Sequence, residues 1–235
     1  MQNKQLRLPR RKAERFRLAA ALAFVCLAVP AFAAGGKSAP ASASPGPAEV
    51  VRTASQNIMH ALNENKAKLK SNPALARRLV RKYLLPHLDF EVTSQAVLGR
   101  YWRAASPAQR KEFEKAFLHY LITTYSKGVE EYPSAKVEVL PFRGDPSQKY
   151  VRVRSRIIVP NHQPIEVDYA LVKSDSTWKV FDVLIAGVSY VKTYQSEFQS
   201  EIRRTSLDAL IKRLQHAKAP KTVTAMKAAA PGTGK

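Results

Sequence analysis

The chain has 235 residues, 39 of them Lys or Arg against 18 Asp or Glu, for a formal net charge of +21. Its one cysteine, Cys26, excludes an internal disulfide framework, so stability must come from an apolar core, which 45% hydrophobic residues can supply. The charge points to anionic partners: nucleic acid for a cytoplasmic protein, lipid head groups or acidic protein surfaces for an exported one.

Residues 1–17 carry seven basic side chains and one acidic, 18–32 are almost wholly apolar, and Ala31-Phe32-Ala33 has the small-x-small form of a signal peptidase site. The apolar run of about 15 residues is shorter than the roughly 20 that a membrane span needs. Residues 1–33 are therefore expected to be a cleavable signal peptide. Arg10-Arg11 and Cys26 lack the flanking residues of twin-arginine export and of lipidation, so general secretion is expected. Cleavage removes the cysteine and leaves 32 basic and 17 acidic residues, a net charge of +15. Export would set nucleic acid aside as a partner. Residues 34–47 and 216–235, rich in Ala, Gly, Ser, Pro, Thr and Lys, cannot bury enough apolar surface to offset their ordering entropy, and read as a disordered linker and a disordered basic tail around a domain over 48–215.

Within that domain, Val51, Ala54, Ile58, Ala61, Leu62, Asn65 and Leu69 predict one helix over 49–69. Asn72-Pro73 caps a second helix that Pro86 stops, and a third over 89–98 ends at Gly99. Ser106-Pro107-Ala108-Gln109 is a capping box for a long fourth, with Phe113, Phe117, Tyr120, Leu121, Thr124 and Tyr125 along one side. After Pro133 the apolar period falls to two. Strands are predicted over 136–142, 150–159, 164–173 and 178–185, with connections short enough to impose an antiparallel meander. The second puts Val151, Val153, Ser155, Ile157 and Val159 on one face and Arg152, Arg154 and Arg156 on the other. Gly187 permits a corner, after which Val188 begins a helix carrying Val191, Tyr194, Phe198 and Ile202. A slip near Thr205-Ser206 starts a last helix with Leu207, Leu210, Ile211 and Leu214. Helices followed by a four-stranded meander make an α+β domain with its helices on one face of the sheet.

No catalytic constellation stands out. Gly187-Val188-Ser189-Tyr190-Val191 lacks the second glycine of a nucleophile elbow, so Ser189 reads as a cap or turn residue. His60, His87, His119 and His162 are scattered, with no two at metal-ligand spacing, and no Gly-rich phosphate loop is present; no cofactor is expected. Asp168 and Asp182 each interrupt a strand. A carboxylate there could serve catalysis, but the simpler reading pairs Asp168 with the outer arginines and gives Asp182 a loop or arginine partner.

Two blocks carry a family resemblance: Leu88-Asp89-Phe90 with 97–103, Ser106 to Arg110 and Glu112-Phe113; then 178–183, Ile185, 187–190, Tyr194 and Phe198. With these signatures the sequence over about 50–212 resembles the MlaC, or toluene-tolerance, family of periplasmic phospholipid-binding proteins. It departs at Ala186, where the family usually has an acidic residue, and at Thr193-Tyr194-Gln195, where the family has Asn-Tyr-Arg. The resemblance implies a fold similar to nuclear transport factor 2, with a curved sheet around an apolar cavity. It also implies a monomeric, non-enzymatic carrier whose cargo is phospholipid and whose partners are an inner-membrane ABC transporter complex with an MCE-domain subunit and an outer-membrane lipoprotein complex, in a system that maintains outer-membrane lipid asymmetry. Strand alternation and helix stripes nominate Leu98, Phe117, Leu121, Tyr125, Val151, Val153, Tyr169, Ile185, Val188 and Tyr194 as lipid-binding residues. Two other functions compete: an enzyme of the same fold pairing Asp182 with Tyr169 or Tyr194, and a binding module docking on acidic proteins through Arg152, Arg154 and Arg156.

Overall fold

The computed structural model describes residues 44–69, 72–131, 135–160, 162–175 and 177–218; the expected signal peptide, residues 34–43 of the expected linker and 219–235 of the expected tail lie outside them. Helix α1 (Pro47–Glu64) starts one residue before the expected domain boundary, with Pro47 at its first helical position, where a missing N–H costs nothing. It buries Val50, Val51, Ala54, Ile58, Ala61 and Leu62. The expected single helix over 49–69 is broken at Asn65, whose side-chain amide donates to the Ala61 carbonyl at 2.8 Å and competes with the backbone ladder; a separate turn, α2 (Lys66–Leu69), follows.

Asn72 caps α3 (Pro73–Tyr83) by accepting from Leu75 N, and a 3₁₀ turn over Leu85–His87 leads to α4 (Phe90–Leu98), capped by Asp89. Gly99, at φ +55°, then reverses the chain into α5 (Arg100–Ala104), an element the sequence pattern does not predict. A Cβ at Gly99 would stand 2.6 Å from Gln199 Nε2, the movable end of a flexible side chain, so it is the positive φ rather than the space that favours glycine. The capping box forms as expected: Ser106 N donates to Gln109 Oε1 at 3.0 Å, Gln109 N donates to Ser106 Oγ at 3.2 Å, and α6 (Pro107–Glu131) begins.

The sheet is an antiparallel meander in sequence order: β1 (Lys136–Val139), β2 (Tyr150–Ile158), β3 (Ile165–Ser174), β4 (Thr177–Ile185) and β5 (Val188–Ser189). Among the described residues it has five strands where four are expected. Ala186 and Gly187, at φ +48° and +82°, form a two-residue hairpin turn that folds Val188 and Ser189 back onto Ile185 and Leu184. Val188 is therefore strand, and α7 (Tyr190–Arg204) starts two residues later than expected, with Ser189 as its cap. The chain ends its described course in α8 (Leu207–Gln215), capped by Ser206.

Alternation along β2 follows the sequence reading: Val151, Val153, Ser155 and Ile157 are buried, while Arg152, Arg154 and Arg156 are exposed. Asp168 lies on that outer face and pairs with Arg152 at 3.5 Å. Over β1 and β2 the inner face is covered by α1, which also reaches β4, and there Ile58, Val137, Val153 and Ile157 are completely buried. At the other end, α4, α6 and α7 gather near β4.

Candidate functional site

Between that second group of helices and β4 the side chains do not close up. Helix α4 contributes Phe90, Thr93 and Val97, spaced three and four residues apart so that they share a face. On α6, Phe117, Leu121 and Tyr125 follow the same rule, as do Tyr190, Val191 and Tyr194 at the start of α7. Strand β4 supplies Val180, Phe181, Asp182, Val183 and Ile185, an uneven set explained by a bulge: Ala170 pairs with Asp182 but Leu171 with Val180, which leaves Phe181 as the extra residue. The bulge lets Val180 and Val183 share the inner face although three positions apart. It also frees the carbonyl of Phe181 to accept from Thr93 Oγ at 2.8 Å, tying α4 to the wall.

The cavity holds about 60 Å³, enough to admit a few water molecules. Val97, Phe117, Tyr125, Val180, Ile185 and Tyr194 are buried, whereas Leu88, Phe90, Leu121, Phe181, Val183, Tyr190 and Val191 are half-buried and mark its open side.

Aromatic rings make up much of the wall. Phe117 lies edge-on to Tyr194 and Phe198, at centroid distances of 5.3 and 5.4 Å, and tilted against Phe90 at 5.5 Å. Within the wall the hydroxyls of Tyr125 and Tyr194 meet at 2.6 Å, a buried polar contact. Burial pushes both hydroxyls well above the ordinary tyrosine range and Tyr190 up to about 12, so all three are neutral at physiological pH. Behind the cluster, the Arg213 guanidinium rests about 5.8 Å from the Tyr120 ring and 5.7 Å from Phe198 while holding Glu201 through Nε and Nη2. It docks α8 on α7 and closes the aromatic group from solvent.

Asp182 is the carboxylate nearest this wall. Its Oδ2 accepts from Ser189 Oγ at 2.5 Å and its Oδ1 from Val191 N at 3.0 Å, while Ser189 Oγ accepts from Lys192 N at 3.0 Å. Asp182 and Ser189 together satisfy the first amides of α7, as Ser189's sequence reading anticipates. The tyrosines nominated as catalytic partners point elsewhere: Tyr194's hydroxyl meets Tyr125, and Tyr169 sits one strand over, opposite Val183.

Of the ten nominated lining residues, Phe117, Leu121, Tyr125, Ile185 and Tyr194 border the cavity. Val151 and Val153 do not, because β2 lies two strands from the wall, under α1. Tyr169, on β3, falls one strand short. Leu98 is buried in solid packing at the end of α4, its carbonyl accepting from Gln199, and Val188 is half-buried in the hairpin. Leu88, Phe90, Val97, Val180 and Val183 went unnominated. The α4 stripe was available from its spacing; the β4 pair was hidden by the bulge.

A family profile described as MlaC protein matches residues 52–216. The chain belongs to the MlaC family. It is 26% identical over 178 residues to the intermembrane phospholipid transport system binding protein MlaC of Haemophilus influenzae, covering 74% of this chain and 83% of that one. A toluene tolerance protein of Pseudomonas putida is 26% identical over 163 residues, 69% of this chain and 75% of its own. Among solved structures, a phospholipid-binding protein of Ralstonia solanacearum in complex with a phospholipid has a TM-score of 0.68 and 29% identity, over 72% of this chain and 95% of that one.

The MlaC signatures now have structural roles. Leu88 and Phe90 are wall residues and Asp89 is a cap. Arg110 donates to the Trp102 carbonyl at 2.9 Å and lies 5.2 Å from the Trp102 ring, locking α5 to α6. Gln195 donates to the Ala96 carbonyl at 2.7 Å, so a long side-chain donor satisfies the end of α4.

Proposed function

We propose that this protein is a periplasmic carrier that shields phospholipid acyl chains in the cavity between α4, α6, α7 and β4 and passes them between an outer-membrane lipoprotein complex and an inner-membrane ABC transporter complex with an MCE-domain subunit. The observation that carries this reading is the phospholipid bound in the Ralstonia protein, which shares this fold over 95% of its length. The physical need is large. Exposing roughly 30 methylenes of two acyl chains at about 0.8 kcal/mol each costs on the order of 25 kcal/mol, so a free lipid does not cross water unaided.

A cavity of about 60 Å³ is far smaller than such a tail. Loading therefore requires the aromatic wall to part, and the half-buried side chains along the open edge, Leu121, Tyr190 and Val191 among them, are those with least packing to lose. Residues 1–33 act as the export signal, 48–215 as the lipid-binding domain and 216–235 as a basic tail; the protein works as a monomer of a fold similar to nuclear transport factor 2. Both the family and the lipid-bound relative point to a transport protein rather than an enzyme.

Gentle purification from cells, native mass spectrometry and lipid extraction test the carrier reading. Phospholipid at near one equivalent is expected; none across repeated gentle preparations would overturn it.

A further inference from the structure

From Lys66 to Leu88 the chain carries seven Lys or Arg and no Asp or Glu. Helix α3 is the centre of that run. It buries Ala76 and Leu79 against the domain, half-buries Leu75, Val80 and Tyr83, and exposes Arg78, Arg81 and Lys82. Those three cations are three and four residues apart and so project from one side of the helix. Among the described residues, no carboxylate lies within ion-pairing distance of Arg77, Arg78, Arg81 or Lys82. The outer arginines of β2 differ: Arg152 pairs with Asp168, and Arg156 stands opposite Glu138 and Glu166 in register.

The place of this helix matters as much as its charge. Arg81 and Lys82 end α3; after one 3₁₀ turn the chain reaches Leu88 and Phe90, on the open side of the cavity. A surface that gathers uncompensated cations beside half-buried apolar side chains is complementary to an anionic bilayer interface, where head groups carry the charge and the acyl boundary lies a few ångströms beneath. We infer that α3 is a membrane-docking element that seats the protein on anionic lipid with the cavity mouth against the head groups.

Docking by α3 stands on charge and exposure alone; only its purpose, bringing the mouth to lipid, rests on the carrier reading. The mature full-length chain is tested by co-sedimentation with vesicles of phosphatidylcholine alone and with 30% phosphatidylglycerol. Wild type is expected to bind the anionic vesicles only, and less as salt is raised. Each cation near such a surface is worth roughly fivefold, so Arg78→Gln, Arg81→Gln and Lys82→Gln together should weaken binding on the order of a hundredfold. Glutamine keeps helix propensity, and unchanged circular dichroism would verify the fold. The equal charge removal Arg152→Gln, Arg154→Gln, Arg156→Gln should cost less than fivefold, which separates docking from the general attraction of a basic chain. Equal losses from the two triple variants would overturn the inference. So would failure of wild type to bind anionic vesicles; retention on immobilised poly-glutamate through the α3 cations would then assign the face to an acidic protein. Co-purifying lipid, measured in parallel, should be unchanged in the α3 variant; its absence from wild type would count against the carrier reading while leaving the docking result intact.

Discussion

The two ends of the sheet's inner face are both apolar and end differently. Under α1, Ile58, Val137, Val153 and Ile157 close into solid packing. Opposite β4, Phe117, Leu121, Tyr125 and Tyr194 leave a cavity. Aliphatic, β-branched side chains interdigitate on a pleated surface with little void, whereas rings held edge-to-face at 5–6 Å centroid spacing keep their shape and span gaps. The contrast is in side-chain shape and element geometry rather than in hydrophobicity.

The largest expected effect tests the solid end. Ile157→Ala removes three carbons from a fully buried site and should cost about 2–5 kcal/mol, read as a lower urea midpoint at unchanged slope, with co-purifying phospholipid unaltered. At the cavity end, half-buried Leu121→Ala should cost about 1–1.5 kcal/mol, and Leu121→Trp, which fills the gap, should lower bound phospholipid. If Ile157→Ala removed lipid and Leu121→Trp did not, the two ends would have been assigned the wrong way round.

Alkali distinguishes the ends a second way. Tyr190's hydroxyl, ordinarily near 10, is pushed up to about 12 by burial. Below pH 10 it is protonated folded or unfolded, and stability is unaffected. As pH rises from 10 towards 12 only the unfolded form ionises, so stability falls by about 1.4 kcal/mol per unit, on the order of 2–3 kcal/mol in all. Tyr125 and Tyr194, shifted in the same direction, steepen the loss. Urea midpoints at pH 9, 10 and 11 should fall progressively, and Tyr190→Phe should flatten part of that slope; an unchanged slope would mean that Tyr190 titrates freely.

Much of this was legible in the residues. The period-two run Val151, Val153, Ser155, Ile157 set the orientation of β2, the capping box placed the start of α6, and Asp168 among arginines was correctly read as an outer-face partner. What escaped has definite causes. Two-residue β5 is too short to show a period. The bulge at Phe181 resets alternation inside a strand, and the α4 stripe of Phe90, Thr93 and Val97 looks like any core face. Whether apolar residues meet or stand apart is settled by neighbours distant in sequence, so Val153 and Phe117 carry the same local signal and sit in opposite halves.

The smallest effect concerns the corner that joins the cavity wall to α7. Ala186 occupies the left-handed region at φ +48°, where a Cβ costs about 1–2 kcal/mol and where Asn and Asp are better tolerated because their short polar side chains bond locally. Asn or Asp at this position would fit the backbone demand of the hairpin turn without any contact to cargo. Ala186→Asn should then raise stability by about 1 kcal/mol, keep the Ala186 amide bond to the Glu166 carbonyl, and leave co-purifying phospholipid unchanged. Gly187→Ala, at φ +82° with open space around its Cβ, should cost about 1–2 kcal/mol through backbone strain alone. A change in bound lipid on Ala186→Asn, at unchanged stability, would instead make the corner part of the cargo site and extend the cavity end of the molecule to the hairpin.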